Sequence, residues 1–385
     1  MRFSIVASLL LIAASSIAQT TTAAHNRFVY VNNQSQPNTI SAYQIGSGGA
    51  LTQLTSSPIS TGGNGAQGPI ESMAFAVTHA GSILFAANGG DPSISAFIVN
   101  QHTGTLEPIA GSPFAVNDSV GAGTYDMAAS PDNRFLFVAN ESNTSIHAYA
   151  IAPATGSLTE IEGSPFNADA NLSGLWVTAN RKFLLAASNS SNSIEVFAIA
   201  SSGSIAQVPG SPFAANNVVS DVRSNCASDR VFDADNGSDL IDAYAMSSNG
   251  TLTPVPGSPF YNGATGNGPN SFDLAIASGG RFLYTSDSFA DGFSSFGIAA
   301  DGVLSLVNGS PFGTAGALGG MTITDRGDYL YSVAFQSADV VAEAVQSNGT
   351  LTFVGSYVDG QISGGGEPNS VIAYPPPACP SVAAQ

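Results

Sequence analysis

The chain has 385 residues, of which 9 are Lys or Arg and 27 are Asp or Glu, for a formal charge of -18. So acidic a surface repels polyanions, which excludes nucleic acid as a partner. Hydrophobic residues make up 43%, with 22 Phe to bury, so the 42 Gly do not signal disorder.

The first 18 residues, MRFSIVASLLLIAASSIA, carry Arg2, an apolar run from Ile5 to Ala14 and a small-x-small end at Ser16-Ile17-Ala18. They predict a cleaved secretory signal peptide. No later segment reaches the ~20 apolar residues that span a bilayer. The expected organisation is a short leader over 19–26, a folded domain over 27–374 and a Pro-rich tail over 375–385. The expected protein is a soluble monomer outside the cytoplasm, periplasmic or secreted.

From Arg27 onward one unit recurs seven times. RFVYVNNQSQPNTISAYQI starts at Arg27, and its siblings start at Ser82, Arg134, Lys182, Arg230, Arg281 and Asp328. Each reads as a strand, a polar turn and a second strand with period-two alternation. A short alternating run follows and ends in GSPF at Gly111–Phe114, Gly163–Phe166, Gly210–Phe213, Gly257–Phe260 and Gly309–Phe312, spaced by 47 or 52 residues. Weaker copies stand at Ser56–Ile59 and Gly355–Val358. A brief apolar strand such as SFDLAIAS then opens the next unit. Four short strands per repeat predict propeller blades, since leucine-rich repeats are shorter and helical repeats need a 3.6 period.

The first copy begins at its second strand, and a surplus apolar run stands at Asn369–Tyr374. The fold predicted is therefore all-β: a seven-bladed β-propeller with four-stranded blades, its ring closed by the C-terminal strand joining the N-terminal blade. Phe28, Phe135, Phe183, Phe282 and Tyr329 are expected to point between blades. The Phe of each GSPF is expected to wedge into the next interface, so that Phe114→Ala costs about 3–5 kcal/mol.

SPDNRFLFVANESNTSIHAYAI at Ser130–Ile151, with GSLTEI at Gly156–Ile161, resembles the seven-bladed lactonase-type propellers, the family of 6-phosphogluconolactonase and of secreted YVTN-repeat proteins. The resemblance covers Arg27 to Tyr374 and implies ring-ester hydrolysis. In the family pattern an Arg-His pair precedes an inner strand and an Asn-Glu pair follows the next one. Asn140 and Glu141 match the second pair, whereas Tyr125 and Asp126 stand in place of the first. With the cation missing at Tyr125, a phosphorylated lactone is disfavoured and a neutral one is the expected substrate if the chain is an enzyme.

Aligning the units by their second strands places Asp126, Asp221 and Asp273 at one equivalent site, where the others hold Ala74, Gly174, Gly320 and Ile372. Glu71 precedes Ala74 by three residues. Trp176 and Arg223 follow the site by two residues in their own units and share its direction. The five residues Asp126, Trp176, Asp221, Arg223 and Asp273 form the expected ligand-facing set. The acids allow three readings. Each could accept a backbone N–H from a turn of a neighbouring blade. Asp126, Asp221, Asp273 and Glu71 could hold a hard cation, a structural Ca²⁺. Asp126, Glu141 and Arg223 could be catalytic, a carboxylate activating water and Arg223 stabilising the oxyanion. No other cofactor is expected.

Asn140 has Asn33, Asn88, Asp235 and Asp287 as siblings, so turn chemistry accounts for it. The four histidines, His25, His79, His102 and His147, are read as structural or surface groups. No HExxH, CxxC, P-loop or GxSxG occurs. Cys226 and Cys379 either form a disulfide that pulls the tail over the channel mouth or remain separate thiols. The function read from the surface is a binding or scaffold module for carbohydrate, another neutral small molecule, a cell-surface component or protein. A lactonase-like hydrolase is the alternative.

Overall fold

The computed structural model describes residues 26–65, 75–78, 82–116, 125–140, 144–169, 171–263, 271–277, 279–287, 292–313, 318–334, 337–358, 370–377 and 379. The signal-peptide segment, His25, Glu71, His79 and Glu141 lie outside them. Short, largely buried strands fold into seven antiparallel sheets, and each inner strand neighbours the next around a closed ring. Blade 3 is representative. Its inner strand Tyr125–Ala129 pairs with Phe135–Asn140, which pairs with Ser145–Ile151, and the outer edge is Leu158–Glu160 followed by Phe166–Asn167. No helix among the described residues is long and apolar enough to cross a membrane.

The expected closure is present. Ser370–Tyr374 pairs with Phe28–Asn32, Phe28 opposite Tyr374 and Asn32 opposite Ser370. The last strand of the chain thus serves as the inner strand of blade 1. It removes the open edge that blade would otherwise present.

Both faces of every blade carry buried apolar residues, so the core is a set of layers between blades. Phe137 and Ala139 pack on Leu175, Leu184 and Ala186 of blade 4, whereas Leu136 and Val138 pack on blade 2. In five blades an aromatic opens the second strand and rests on the 3–4 turn of the following blade, a place taken by Ile83 in blade 2 and Arg230 in blade 5. Phe28, 1% exposed, covers Gly104 so closely that any Cβ there would meet its ring, and Gly104 has a φ of 72° besides.

The GSPF motif sits where the outer strand breaks into two short segments. Its Ser hydroxyl accepts the strand-three N–H left over at the break: Ala96 to Ser112 at 2.9 Å, Ala148 to Ser164 at 3.0 Å, Val196 to Ser211 at 3.0 Å. The Phe reaches the interface layer as expected, but Phe114, Phe166 and Phe213 are only half-buried. Their truncation therefore costs less than full burial implied, because solvent already touches part of each ring.

Cys226 and Cys379 are joined, with Cα atoms 5.3 Å apart. Cys226 follows the inner strand Val219–Ser224 of blade 5, and Cys379 follows the closing strand of blade 1. These blades stand on opposite sides of the ring, so the tail crosses the channel at the end where the inner strands finish.

Candidate functional site

All inner strands run in the same direction, and the three equivalent acids stand near their starting ends. Each reaches across to the following blade. Asp126 accepts the Leu175 N–H of blade 4 and, at 2.7 Å, the N–H of its own neighbour Met127. Asp221 accepts the Leu274 N–H of blade 6 at 3.1 Å. Asp273 accepts the Met321 N–H of blade 7 at 2.6 Å and that of Leu274 at 2.7 Å. The donor is an inner-strand N–H rather than a turn N–H, because the strands converge towards the axis. Where blade 4 has Gly174, a Cβ would press on the Asp221 backbone, so the approach there leaves no room for a side chain.

Arg223 joins two of these acids. Its Nη1 donates to Asp221 and its Nη2 to Asp273 at 3.2 Å. Its guanidinium carbon also lies 4.9 Å from the centre of the Trp176 ring, whose Nε1 donates to Ser224 Oγ at 3.0 Å. Asp126, Asp221, Asp273 and Arg223 are all buried, and Trp176 is half-buried. The structure therefore brings the five expected residues into one girdle. Both oxygens of each carboxylate are engaged by N–H donors.

Burial governs the electrostatics. It lifts the Asp126 carboxyl to about 8, although the Arg223 charge and the two backbone N–H bonds pull the other way. Burial also holds Asp221 well above the usual carboxylate range, with Arg223 opposing and Asp273 reinforcing. A protonated carboxyl near neutral pH can give a proton or share one.

Glu141 follows Asn140, which is paired with Tyr125 in the ladder. Glu141 itself lies outside the described residues, so its place in the sequence alone relates it to Asp126. His147 is buried on the third strand, its Nδ1 3.0 Å from Glu160 Oε1 and its ring stacked on Tyr149, away from the channel. Inner-strand hydroxyls that the sequence reading passed over also bridge blades. Ser173 Oγ donates to Val219 O at 2.6 Å, and Thr322 Oγ1 accepts the Ala373 N–H at 3.1 Å where Gly320 offers no acid. Their positions beside the aligned acid site were the available signal.

Fold and girdle together define a closed seven-bladed propeller with buried acids bridging its inner strands. The sequence profile described as "Lactonase, 7-bladed beta-propeller" matches residues 10–120, 116–272 and 238–364. The chain belongs to the lactonase family of seven-bladed β-propellers. No curated protein sequence matches it. Among solved structures it is similar to the periplasmic gluconolactonase PpgL of Pseudomonas aeruginosa, with a TM-score of 0.71 at 16% identity, covering 91% of this chain and 98% of that one. A candidate 6-phosphogluconolactonase of Bacteroides fragilis gives 0.71 at 16% identity over 92% and 99%. A Lactobacillus plantarum protein gives 0.69 at 14% over 91% and 98%. At these identities the likeness speaks for the fold.

Proposed function

We propose that this protein is an extracytoplasmic lactonase that hydrolyses a neutral sugar lactone. The observation that carries the reading is membership of the lactonase family along nearly the whole propeller. It favours hydrolysis over the binding or scaffold role that the surface composition alone suggested. In the reaction, water adds to the ring carbonyl as a carboxylate takes its proton. The oxyanion then collapses, the ring C–O bond breaks, and the leaving oxygen is protonated to give the open hydroxy acid.

Asp126 and Glu141 are the two carboxyl groups in this reading. Glu141 is the proposed base, and Asp126, held near pH 8 by burial, is suited to donate a proton. Arg223 or inner-strand N–H groups stabilise the oxyanion. A neutral substrate is favoured because Tyr125 stands where the family pattern has a cation. The location is supported by the leader sequence and by the disulfide, which suits an oxidising compartment.

The test is turnover of a panel of uncharged lactones by wild type and by a triple variant, Asp126→Asn, Asp221→Asn and Glu141→Gln, checked for folding by circular dichroism. Wild type should hydrolyse at least one lactone, and the variant should lose about 10²–10⁴ of the rate. A wild type inert across the panel defeats the proposal and returns the binding role.

A further inference from the structure

Blade 5 carries a second acid cluster, on its second and third strands rather than at the channel. Asp233 on Arg230–Asp235 lies directly opposite Asp242 on Leu240–Met246, and Asp235 is two residues further along the same face. All three are buried, and one carboxylate oxygen from each lies within 4.8 Å of the others. The face looks towards blade 4: Val231 and Tyr244, which share it, pack on Phe183 and Leu185.

Three sibling blades carry a hydrogen-bonded pair at these positions. Where blade 5 has Asp235 and Asp242, blade 1 has Asn33 donating to Ser41 at 3.0 Å. Blade 2 has Asn88 donating to Ser95 at 2.8 Å, and in blade 6 Ser294 donates to Asp287 at 2.8 Å. Each is a complementary donor–acceptor pair. At the Asp233 position the siblings have Val31, Ala86, Val138, Ala186, Thr285 and Ser332. Blade 5 alone replaces donor, acceptor and an uncharged neighbour by three carboxylates.

The available donors do not satisfy that set. Asp242 is well served by the Asn216 backbone N–H at 3.1 Å, the Asn216 side chain at 2.8 Å and Ser258 at 3.2 Å. Asp235 has only two long contacts, from Asn217 N–H and Ser238 Oγ, each at 3.4 Å. Asp233 Oδ1 accepts the Asp242 N–H at 3.1 Å, but its Oδ2 is buried and has no hydrogen-bond partner among the described residues. The Tyr244 hydroxyl donates to Ala214 O at 3.1 Å. Among the described residues no basic side chain forms an ion pair with any of the three acids. Like charges buried this close, with one oxygen bare, call for a positive partner.

We propose that Asp233, Asp235 and Asp242 bind a hard divalent cation of the Ca²⁺ class, which fastens the Asn216–Asn217 connection from blade 4 onto blade 5. The donors are all oxygen, with no His or Cys to favour a softer metal. Three carboxylate oxygens within 4.8 Å of one another can share one ion at the ~2.3–2.6 Å of a Ca²⁺–oxygen bond, whereas Mg²⁺ usually keeps several waters and is seldom held by a cage of protein groups alone. The site is separate from the girdle acids and does not depend on the lactonase reading.

The experiment is calorimetric titration of chelator-treated, desalted protein with CaCl₂, paired with melting curves. Asp233→Val and Asp242→Ser install residues that sibling blades already carry. Asp235→Asn, as at Asn33 and Asn88, is the third variant should either of those fail to fold. Wild type should take up one Ca²⁺ per chain and melt higher with calcium, while the folded variants show no such heat and no calcium-dependent shift. Wild type without a calcium response up to about 10 mM overturns the proposal, since even weak extracellular sites saturate there. Variants stabilised by calcium as much as wild type overturn it too, placing the ion elsewhere.

Discussion

The guanidinium of Arg223 is sandwiched between the Trp176 ring of blade 4, 4.9 Å away, and Asp273 of blade 6, 3.2 Å away, so one cation links three consecutive blades. Together with Asp221 on its own strand it is a buried ion triad. Such a triad adds little stability over an apolar equivalent, but removing its cation strands two charges.

Arg223→Met should therefore lower unfolding free energy by about 3–5 kcal/mol in urea denaturation. The additional change of Asp221 and Asp273 to Asn should recover part of that loss, because it removes the stranded charges. An Arg223→Met protein as stable as wild type would show that the triad is not the joint described.

Phe28 and Phe114 separate full from partial burial. Phe28→Ala should cost about 3–5 kcal/mol, as large-to-small changes in closed cores do. Phe114→Ala should cost less, because part of its ring is already in solvent. Equal losses in parallel denaturation curves would contradict the packing described.

Stability should fall on the alkaline side in chelator. Burial pushes Asp126 and Asp287 up to about 8, the former opposed by Arg223 and the latter reinforced by Asp239. It pushes Asp235, beside Asp242 and near Tyr244, up to about 7. These folded-state values exceed the ~3.9 of an unfolded Asp, so proton binding favours the folded chain. That contribution is complete below about pH 4 and disappears as pH rises through about 7–8. Tm measured in chelator should be higher at about pH 5.5 than at about pH 8.5. A Tm that climbs over this interval would refute the assignment.

Two truncations separate the closing strand from the tail. Ending the chain after Pro375 keeps Ser370–Tyr374 but loses the disulfide, which closes 153 residues, and should cost up to about 4–5 kcal/mol while unfolding stays cooperative. Deleting residues 369–385 also exposes the edge of blade 1 and should abolish the cooperative transition. Cooperative melting of the shorter chain would mean that the ring does not depend on Ser370–Tyr374.

The architecture was legible because each blade repeats the same physical solution, so GSPF spacing and the surplus run at Asn369–Tyr374 gave blade number and closure together. The girdle was legible in outline, since aligning second strands brought Asp126, Asp221 and Asp273 to one level. Their partners were not, because a backbone N–H such as that of Leu175 or Met321 has no sequence signature. The burial of Phe114 was overestimated, as an aromatic at an outer edge looks the same in sequence as one in a layer. Asp233 and Asp242 were passed over because repeat reading rewards what siblings share, whereas these residues are informative for what they do not share.

The disulfide has a consequence for traffic through the ring. Tyr374 ends the inner strand of blade 1 on the side away from the acids, and the five residues Pro375–Cys379, reaching at most about 17 Å, are tied to blade 5 across the axis. Anything that moves along the axis at that end must pass beside the tie, and a reductant that opens Cys226–Cys379 would free it without touching the girdle acids.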